Sequence, residues 1–408
     1  MFGANVVRKF TFINSMQQSN NNSFIPAIYF VSSVNVIFSP FIKELNTYVD
    51  ELAVLILFII GFPQVLKSQK GKEFYIVLGI LSFYLFYSLL FGQNVYKAVI
   101  LDFLLFLKPF ISFFIPLLIS FHITSEIREV MKKFYFLCGV FCVLQLPYID
   151  SIYPNTTSYY QSCIFCGISY LLFSEFSRKD WFCFLIFLTP GLASIKAKFF
   201  TEYIFVVYVL FFMNSKIKLN MKWVIIISLI ACLSIYVSWE KFSFYFIDGV
   251  KHKLPRSMFY ALIPQVLTDY FPLGPGFGTF NTEGAARFYS PLYLKYHVNH
   301  IFGMRMIDHH SSSNCLLDTF YPALAQFGIL GYVFYIKFWM RRWKESLLLK
   351  WNTYKLFIII FFIMAMENLA ANSFTGPMGV PYMMILGIIL GQKEYKYPWI
   401  LRPKKIME

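Results

Sequence analysis

Histidine and arginine side chains concentrate in one stretch of the sequence, residues 240–317. This segment holds five of the six histidines of the chain, which are His252, His297, His300, His309 and His310. It also holds three of the nine arginines, which are Arg256, Arg287 and Arg305. A histidine that titrates near neutral pH suits a general base, and an arginine fork binds pairs of phosphate oxygens. The segment therefore predicts chemistry on an anionic substrate; the alternative is an ordinary polar loop.

A helix and a glycine-rich turn follow Arg256. The apolar residues that recur there at helical spacing are Met258, Phe259, Leu262, Ile263, Val266, Leu267 and Tyr270. They predict an amphipathic helix on a membrane face, kinked or restarted at Pro264. Residues 272–280 then read PLGPGFGTF. The backbone N–H groups of Gly276 and Gly278 can approach an anion closely because glycine has no side chain; a plain turn is the alternative.

Two lysines, Lys196 and Lys198, follow the pair Pro190-Gly191. The proline and glycine should end a membrane helix near its outer surface, and irregular backbone at that depth is tolerated only where it lines a cavity or is buried in protein. The two lysines depart from the charge pattern of the other outside loops. We interpret them as a site for an anionic ligand; the alternative is that they extend to lipid phosphates.

Four further ionisable residues fall inside apolar stretches: Asp102, Lys108, Glu202 and Glu367. Ionisable residues at membrane depth are functional candidates by default, because burying a charge in lipid is costly.

A metal site is the rival interpretation for the histidines. His297 with His300, and Asp308 with His309 and His310, offer ligand atoms, but their spacings match no standard site. The segment also lacks an Asp-x-Asp pair of the kind that holds a divalent ion in metal-dependent transferases. The sequence therefore predicts no metal and no other cofactor.

Composition decides which elements carry these residues. Hydrophobic residues make up 58% of the 408 residues, aromatic ones 21% and charged ones 14%, and the mean hydropathy is +0.59. These values exclude a soluble enzyme, a secreted disulfide scaffold and a disordered chain. Solid apolar runs favour helices over a β-barrel. The predicted fold is an all-α, polytopic integral membrane protein.

Twelve apolar runs are long enough to be candidate transmembrane helices. They lie near 23–42, 51–66, 74–94, 98–121, 134–149, 157–175, 181–195, 199–215, 222–239, 318–338, 356–372 and 376–392. Residues 1–239 thus hold nine spans, and residues 240–317 form one large loop with the amphipathic helix. Residues 318–408 hold the last three spans and a cytoplasmic tail.

Lysine and arginine concentrate in alternate connections between these spans. The positive-inside rule then places both termini in the cytoplasm and the 240–317 loop on the outer, periplasmic side. Most of the formal net charge of +15 is explained as a topology signal. Nucleic acid is therefore not an expected partner, whereas membrane lipid is.

The arrangement resembles the bacterial O-antigen polymerase and ligase superfamily. The resemblance rests on the topology and on three local motifs. One is Arg256 with its helix and the turn at 271–280; another is the segment 309–314, which leads to the GxxG pattern at 327–331. The third is residues 194–198, which stand where the family has a Ser-Arg-Gly-like motif. Leu317 occupies the place of the ligase histidine, and Lys196 that of the motif's arginine, so the resemblance leans towards the polymerase.

This resemblance implies a metal-independent, lipid-linked glycosyltransferase in the bacterial inner membrane. Its donor and acceptor would be oligosaccharide repeat units on undecaprenyl pyrophosphate, and a chain-length regulator protein is a candidate partner. Arg256, Lys196 and Lys198 are assigned to the pyrophosphate, with Gly276 and Gly278 beside it. Arg287 and Arg305 are assigned to phosphate or sugar, and either His310 or His309 to the general base.

Two rival functions remain open on the sequence. An O-antigen ligase would use the same donor and transfer the polymer to lipid A-core. A flippase or transporter of lipid-linked sugars is less favoured, because such proteins usually show two repeated halves, and this chain shows no repeat.

Overall fold

The chain is all-helical wherever its structure is described. The computed structural model describes residues 24–38, 46–66, 71–119, 123–153, 156–211, 243–301, 303–305, 319–371 and 373–391, with the single residues 41, 213, 232, 236 and 239. No strand occurs within these ranges. The predicted all-α class is confirmed for this part of the chain.

Helices occupy nearly every predicted apolar run in the described ranges. They are α1 Phe24–Ile37, α2 Asn46–Leu66, α3 Lys72–Phe91, α4 Tyr96–Leu118, α5 Ser125–Leu144, α6 Ile149–Ile152, α7 Thr156–Leu172, α8 Arg178–Leu188, α9 Ala197–Phe211, α10 Pro255–Asp269, α11 Glu283–Arg287, α12 Pro291–Lys295, α13 Phe320–Ala323, α14 Gly328–Ser346, α15 Trp351–Ala370 and α16 Gly379–Gly391. The predicted ninth span, near 222–239, lies almost entirely outside the described residues.

Five of the described helical stretches are long and apolar enough to cross a membrane. They are Tyr48–Leu66, Lys72–Phe91, Tyr96–Leu118, Phe320–Ser346 and Trp351–Ala370. A sixth is added if α5 and the segment Leu146–Ile152, bent by 49° from it, form one span. The chain is thus a helical membrane protein. The other predicted spans coincide with shorter helices; α8, for example, ends at Leu188 before a 3₁₀ turn, as the Pro190-Gly191 pair predicts.

The chain divides into two compact units. The first comprises Met1–Gly71, Ile111–Ser194 and Val380–Tyr395, and the second Lys72–Phe110, Ile195–Gly379 and Lys396–Glu408. The described predicted site residues all belong to the second unit.

Close helix packing characterises the first unit. A Cβ atom on Gly139 of α5 would lie 2.6 Å from the Phe187 ring, and one on Gly167 of α7 would lie 2.7 Å from the Phe184 ring. These glycines therefore let α8 approach both neighbours. Ser177 and Asp180 form a reciprocal capping box that fixes where α8 begins.

An ion-pair network closes one end of the second unit. Arg342, buried near the end of α14, donates two hydrogen bonds to the Glu73 carboxylate of α3, at 2.7 and 2.6 Å. Arg341 and Glu345 join the same network, which balances two positive charges with two negative ones. One guanidinium nitrogen contacts both Glu73 oxygens, and these charge-assisted hydrogen bonds join the start of α3 to the end of α14.

The segment that follows Arg256 folds around a hydrophobic core of its own. The predicted helix is present as α10, and it continues through Pro264 without restarting there. Its buried residues Phe259, Leu262 and Val266 pack with Phe280 and with residues from 285 to 304. Later residues of the loop, with Ala325 and Tyr332, thus supply an apolar partner for α10, and its position at a membrane face stays a prediction.

An ion pair ties the end of α10 to the end of α12, and it should make the fold of this segment sensitive to acid. Asp269 lies 2.8 Å from the Lys295 ammonium, and the Tyr296 hydroxyl donates to Asp269 at 3.1 Å. These hydrogen bonds lower the pKa of Asp269, and the bond to Asp269 raises the pKa of Lys295. The Asp269 contribution is complete above the unfolded-state value of about 3.9 and is lost as the pH falls through the lowered pKa.

We therefore expect the rate of limited proteolysis within residues 283–301 to be level from about pH 5 to 9 and to rise below about pH 4. Asp269→Asn should abolish this increase in proteolysis rate at low pH. It should raise the proteolysis rate at neutral pH only slightly, since the Asp269–Lys295 pair is partly exposed. If the proteolysis rate of the variant rose at low pH as it does in the wild type, the acid sensitivity would not come from the Asp269–Lys295 pair.

Candidate functional site

The glycine-rich turn binds a carboxyl group of the protein itself. Asp102 of α4 is fully buried, and its two side-chain oxygens accept hydrogen bonds from the backbone N–H groups of Gly278 and Gly284, each at 2.8 Å. The Thr282 side chain lies beside the Asp102 carboxyl group. The turn from 278 to 284 therefore wraps around a single acid on a membrane helix.

Only glycine fits at two positions of this contact. Gly278 has φ of +74°, and a Cβ atom there would lie 2.8 Å from the carbonyl carbon of Ala98. A Cβ atom on Gly284 would lie 2.5 Å from the Ala98 carbonyl oxygen and 2.7 Å from Asp102 Oδ1. Any side chain at either position would push the turn away from α4.

Three further residues form the other hydrogen bonds that hold the turn in place. Ser88 Oγ accepts from the Phe277 N–H at 2.7 Å, and Asn94 donates its amide to the Gly278 carbonyl. The Gln326 backbone carbonyl accepts from the Gly276 N–H at 2.9 Å, and the Gln326 side-chain oxygen accepts from the Gly278 N–H at 3.1 Å. The two predicted anion-binding N–H groups thus contact protein acceptors, and their role at a pyrophosphate stays a prediction.

Lys198 and the helix that begins with Arg256 meet at the same end of α15. Lys198 Nζ lies 2.8 Å from Glu367 Oε2. Tyr260, one turn after Arg256, donates its hydroxyl to the Leu369 carbonyl at 2.8 Å and lies within the electrostatic influence of the arginine. The structure therefore brings Lys198, and Tyr260 from the helix that carries Arg256, to the same end of α15.

Arg287 and Arg305 make their contacts elsewhere in the second unit, whereas Lys196 stands two positions before Lys198. Arg287 is exposed and pairs with Glu283 at 3.2 Å on α11, and the exposed Arg305 donates to the His300 carbonyl at 3.4 Å. Lys196 is partly buried just before α9. None of these contacts involves α15.

His309 and His310 lie outside the described residues, so the assignment of the general base stays a prediction. Within the described ranges, no group of three or more His, Cys, Asp or Glu residues is arranged to hold a metal ion. Since the two histidines lie beyond those ranges, metal independence also stays a prediction.

An aromatic groove runs between α14 and α15. Its volume is about 420 Å³, and its lining includes Tyr321, Tyr335, Trp339, Trp343, Phe361 and Lys344. Tyr321, at one end, donates its hydroxyl to the Ala365 carbonyl at 3.3 Å, one turn before the Leu369 carbonyl that Tyr260 contacts. The groove therefore opens beside the Arg256 helix. A second apolar cavity of about 220 Å³ lies against the Phe106 and Phe327 rings, which also contact Phe277 of the turn.

Three residues of the site are not among the sequence candidates: Ser88, Asn94 and Gln326. A buried serine in an apolar helix is common, so its type alone gives no signal. Asn94 stands at a predicted span end, where a polar residue is expected in any case, and Gln326 is an uncharged residue inside the predicted span 318–338. Asp102 did stand out as an intramembrane acid, but nothing in its spacing connected it to the glycine-rich turn.

Comparison with known proteins leaves the function open. No protein-family model matches the chain, and no curated protein is significantly similar to it. The functional conclusion therefore rests on the residues and their geometry.

Proposed function

We propose that this chain is a glycosyltransferase that polymerises undecaprenyl-pyrophosphate-linked O-antigen repeat units at the periplasmic face of a bacterial inner membrane. In this proposal the chain has twelve spans and both termini in the cytoplasm. The observation that carries it is the approach of Lys198 and the Arg256 helix to one end of α15. A pyrophosphate leaving group needs such cations, because its developing negative charge must be stabilised where water is excluded.

The aromatic groove supports a lipid-linked substrate. It lies between two apolar helices, and its Tyr321 end is adjacent to the Arg256 helix. An isoprenoid chain in this groove would bring its pyrophosphate towards the arginine. The polar head of Lys344 lines the same groove, at a position near the other end of α14.

The charge distribution of the second unit supports the proposed orientation. The Glu73–Arg342 network joins the start of α3 to the end of α14. Asn94, just beyond the opposite end of α3, contacts the glycine-rich turn. The basic 341–350 segment and the 272–284 turn thus lie at opposite ends of α3, as a cytoplasmic and a periplasmic segment would.

Either His310 or His309 is proposed as the general base, with no metal or cofactor.

Deletion of the gene should leave a lipopolysaccharide that carries a single repeat unit on its core. A gel of surface lipopolysaccharide measures this, and a plasmid copy of the wild-type gene should restore the ladder of long chains. Bare core with accumulated lipid-linked polymer would instead indicate a ligase. Bare core without outward-facing precursor would indicate a flippase, and an unchanged ladder would contradict all three functions.

A further inference from the structure

An acidic side chain without a hydrogen-bond partner is buried in the second unit. Glu202 stands one turn after Lys198 on α9, and its exposed fraction is 1%. Neither of its carboxyl oxygens has a hydrogen-bond partner among the described residues. An ionised carboxylate in such surroundings is strongly unfavourable, because nothing replaces the water that it gives up on burial.

The neighbouring charges do not compensate Glu202. The groups that act on its carboxyl are Lys198 on the same helix and Glu367 on the adjoining helix α15. Glu367 is itself buried, and its Oε2 atom already accepts from Lys198 at 2.8 Å and from Ser373 Oγ at 3.1 Å. Among the described residues, the cluster thus contains two buried acids, Glu202 and Glu367, and the ammonium group of Lys198. Glu367 is the acid that forms the ion pair with Lys198.

We propose that Lys198, Glu202 and Glu367 form a proton-binding site in which Glu202 carries the proton. One proton makes the cluster neutral, whereas three ionised groups would leave a buried negative charge without a partner. Two acids that interact at this range share protons as a pair, and the ion pair determines which of them stays ionised. This site does not depend on the proposed function.

Chemical labelling tests the proposal without an activity assay. Dicyclohexylcarbodiimide is an apolar reagent to which a protonated carboxyl group adds across a C=N bond, giving an acylisourea that rearranges to a stable acylurea. The full-length protein in lipid vesicles should form this adduct at Glu202, detected by peptide mass spectrometry. Labelling should fall about tenfold for each pH unit above the pKa of Glu202. Glu129, which is exposed to water and ionised, is the internal comparison and should stay unlabelled.

Two variants should change the amount of carbodiimide labelling in opposite directions, and a third serves as the control. Glu367→Gln leaves Lys198 with Glu202 as its remaining acid, so Glu202 should ionise and its labelling should drop at least about tenfold. Lys198→Met removes the cation, so Glu367 should also become protonated and labelled. Glu202→Gln, which imitates the neutral acid, should lose the adduct and leave Glu367 unlabelled.

An infrared measurement covers the case in which the reagent does not reach the site. The difference spectrum between wild type and Glu202→Gln should contain the carbonyl stretch of a protonated carboxyl group, which ionised carboxylates lack. Absence of this band at neutral pH would overturn the proposal, whatever the labelling result. Labelling of Glu367 in place of Glu202 in the wild-type protein would overturn it as well.

Discussion

Replacement of Arg256 by alanine should abolish long-chain polymer while the amount of protein in the membrane stays near normal. If the guanidinium holds the pyrophosphate as it leaves, its loss removes a charge-assisted contact that strengthens in the transition state. Losing one such donor typically costs about 10²–10³ in kcat. Extension of lipid-linked repeat units by the purified protein, followed by gel analysis of product length, measures the loss directly.

The lysine variant distinguishes geometry from charge. Arg256→Lys keeps the positive charge but lacks the planar fork that binds two phosphate oxygens, so it should restore only part of the activity. Equal activity of Arg256→Lys and wild type would reduce the role of the residue to charge alone. The matched control is Arg128→Ala, which removes an exposed arginine at the start of α5 in the first unit and should leave the activity unchanged. Full activity of Arg256→Ala would exclude the residue from the site.

Local signals predicted the helices of this protein well. Long apolar runs such as α3 and α4 appear where hydropathy places them, because each such helix satisfies its own backbone hydrogen bonds. The helix after Arg256 was also visible in the sequence, but its partner was not. Its apolar side packs against Phe280 and Tyr293, whose side chains come together only after the segment has folded.

The candidate site was predicted as separate residues and not as pairs. Glu202 and Glu367 stood out as charges in apolar stretches and Lys198 as a lysine of an outside loop, but Lys198 and Glu367 are separated by 169 positions. Asp102 and Gly278 are 176 positions apart. A hydrogen bond across such distances depends on how the helices pack, and no local periodicity encodes it. The sequence predicted that the glycine-rich turn could approach an anion. In the structure the Gly278 N–H donates to Asp102 and Gln326, and the anion site stays a prediction.

Removal of the Asp102 carboxyl group should detach the glycine-rich turn from α4. Asp102→Ala removes one of the two acceptors of the Gly278 N–H and leaves the Gly284 N–H without its Asp102 acceptor. A buried donor left unsatisfied costs about 1–3 kcal/mol. Hydrogen exchange followed by mass spectrometry should show peptides that cover 276–284 losing protection, while peptides from α14 keep theirs.

Two further variants separate loss of the hydrogen bonds from general instability. Asp102→Asn keeps one side-chain oxygen but turns an amide NH₂ towards the other N–H donor, so protection should be lost in part and unevenly between Gly278 and Gly284. Asp269→Asn is the control, because it removes a partly exposed acid of the same loop. This variant should leave residues 276–284 protected from exchange. If Asp102→Ala exchanged at the wild-type rate, Ser88, Asn94 and Gln326 would be sufficient to hold the turn. Because Phe280 of this turn packs against Phe259, Leu262 and Val266 of α10, loss of the Asp102 contact should also displace the Arg256 helix, and polymer length should fall together with protection.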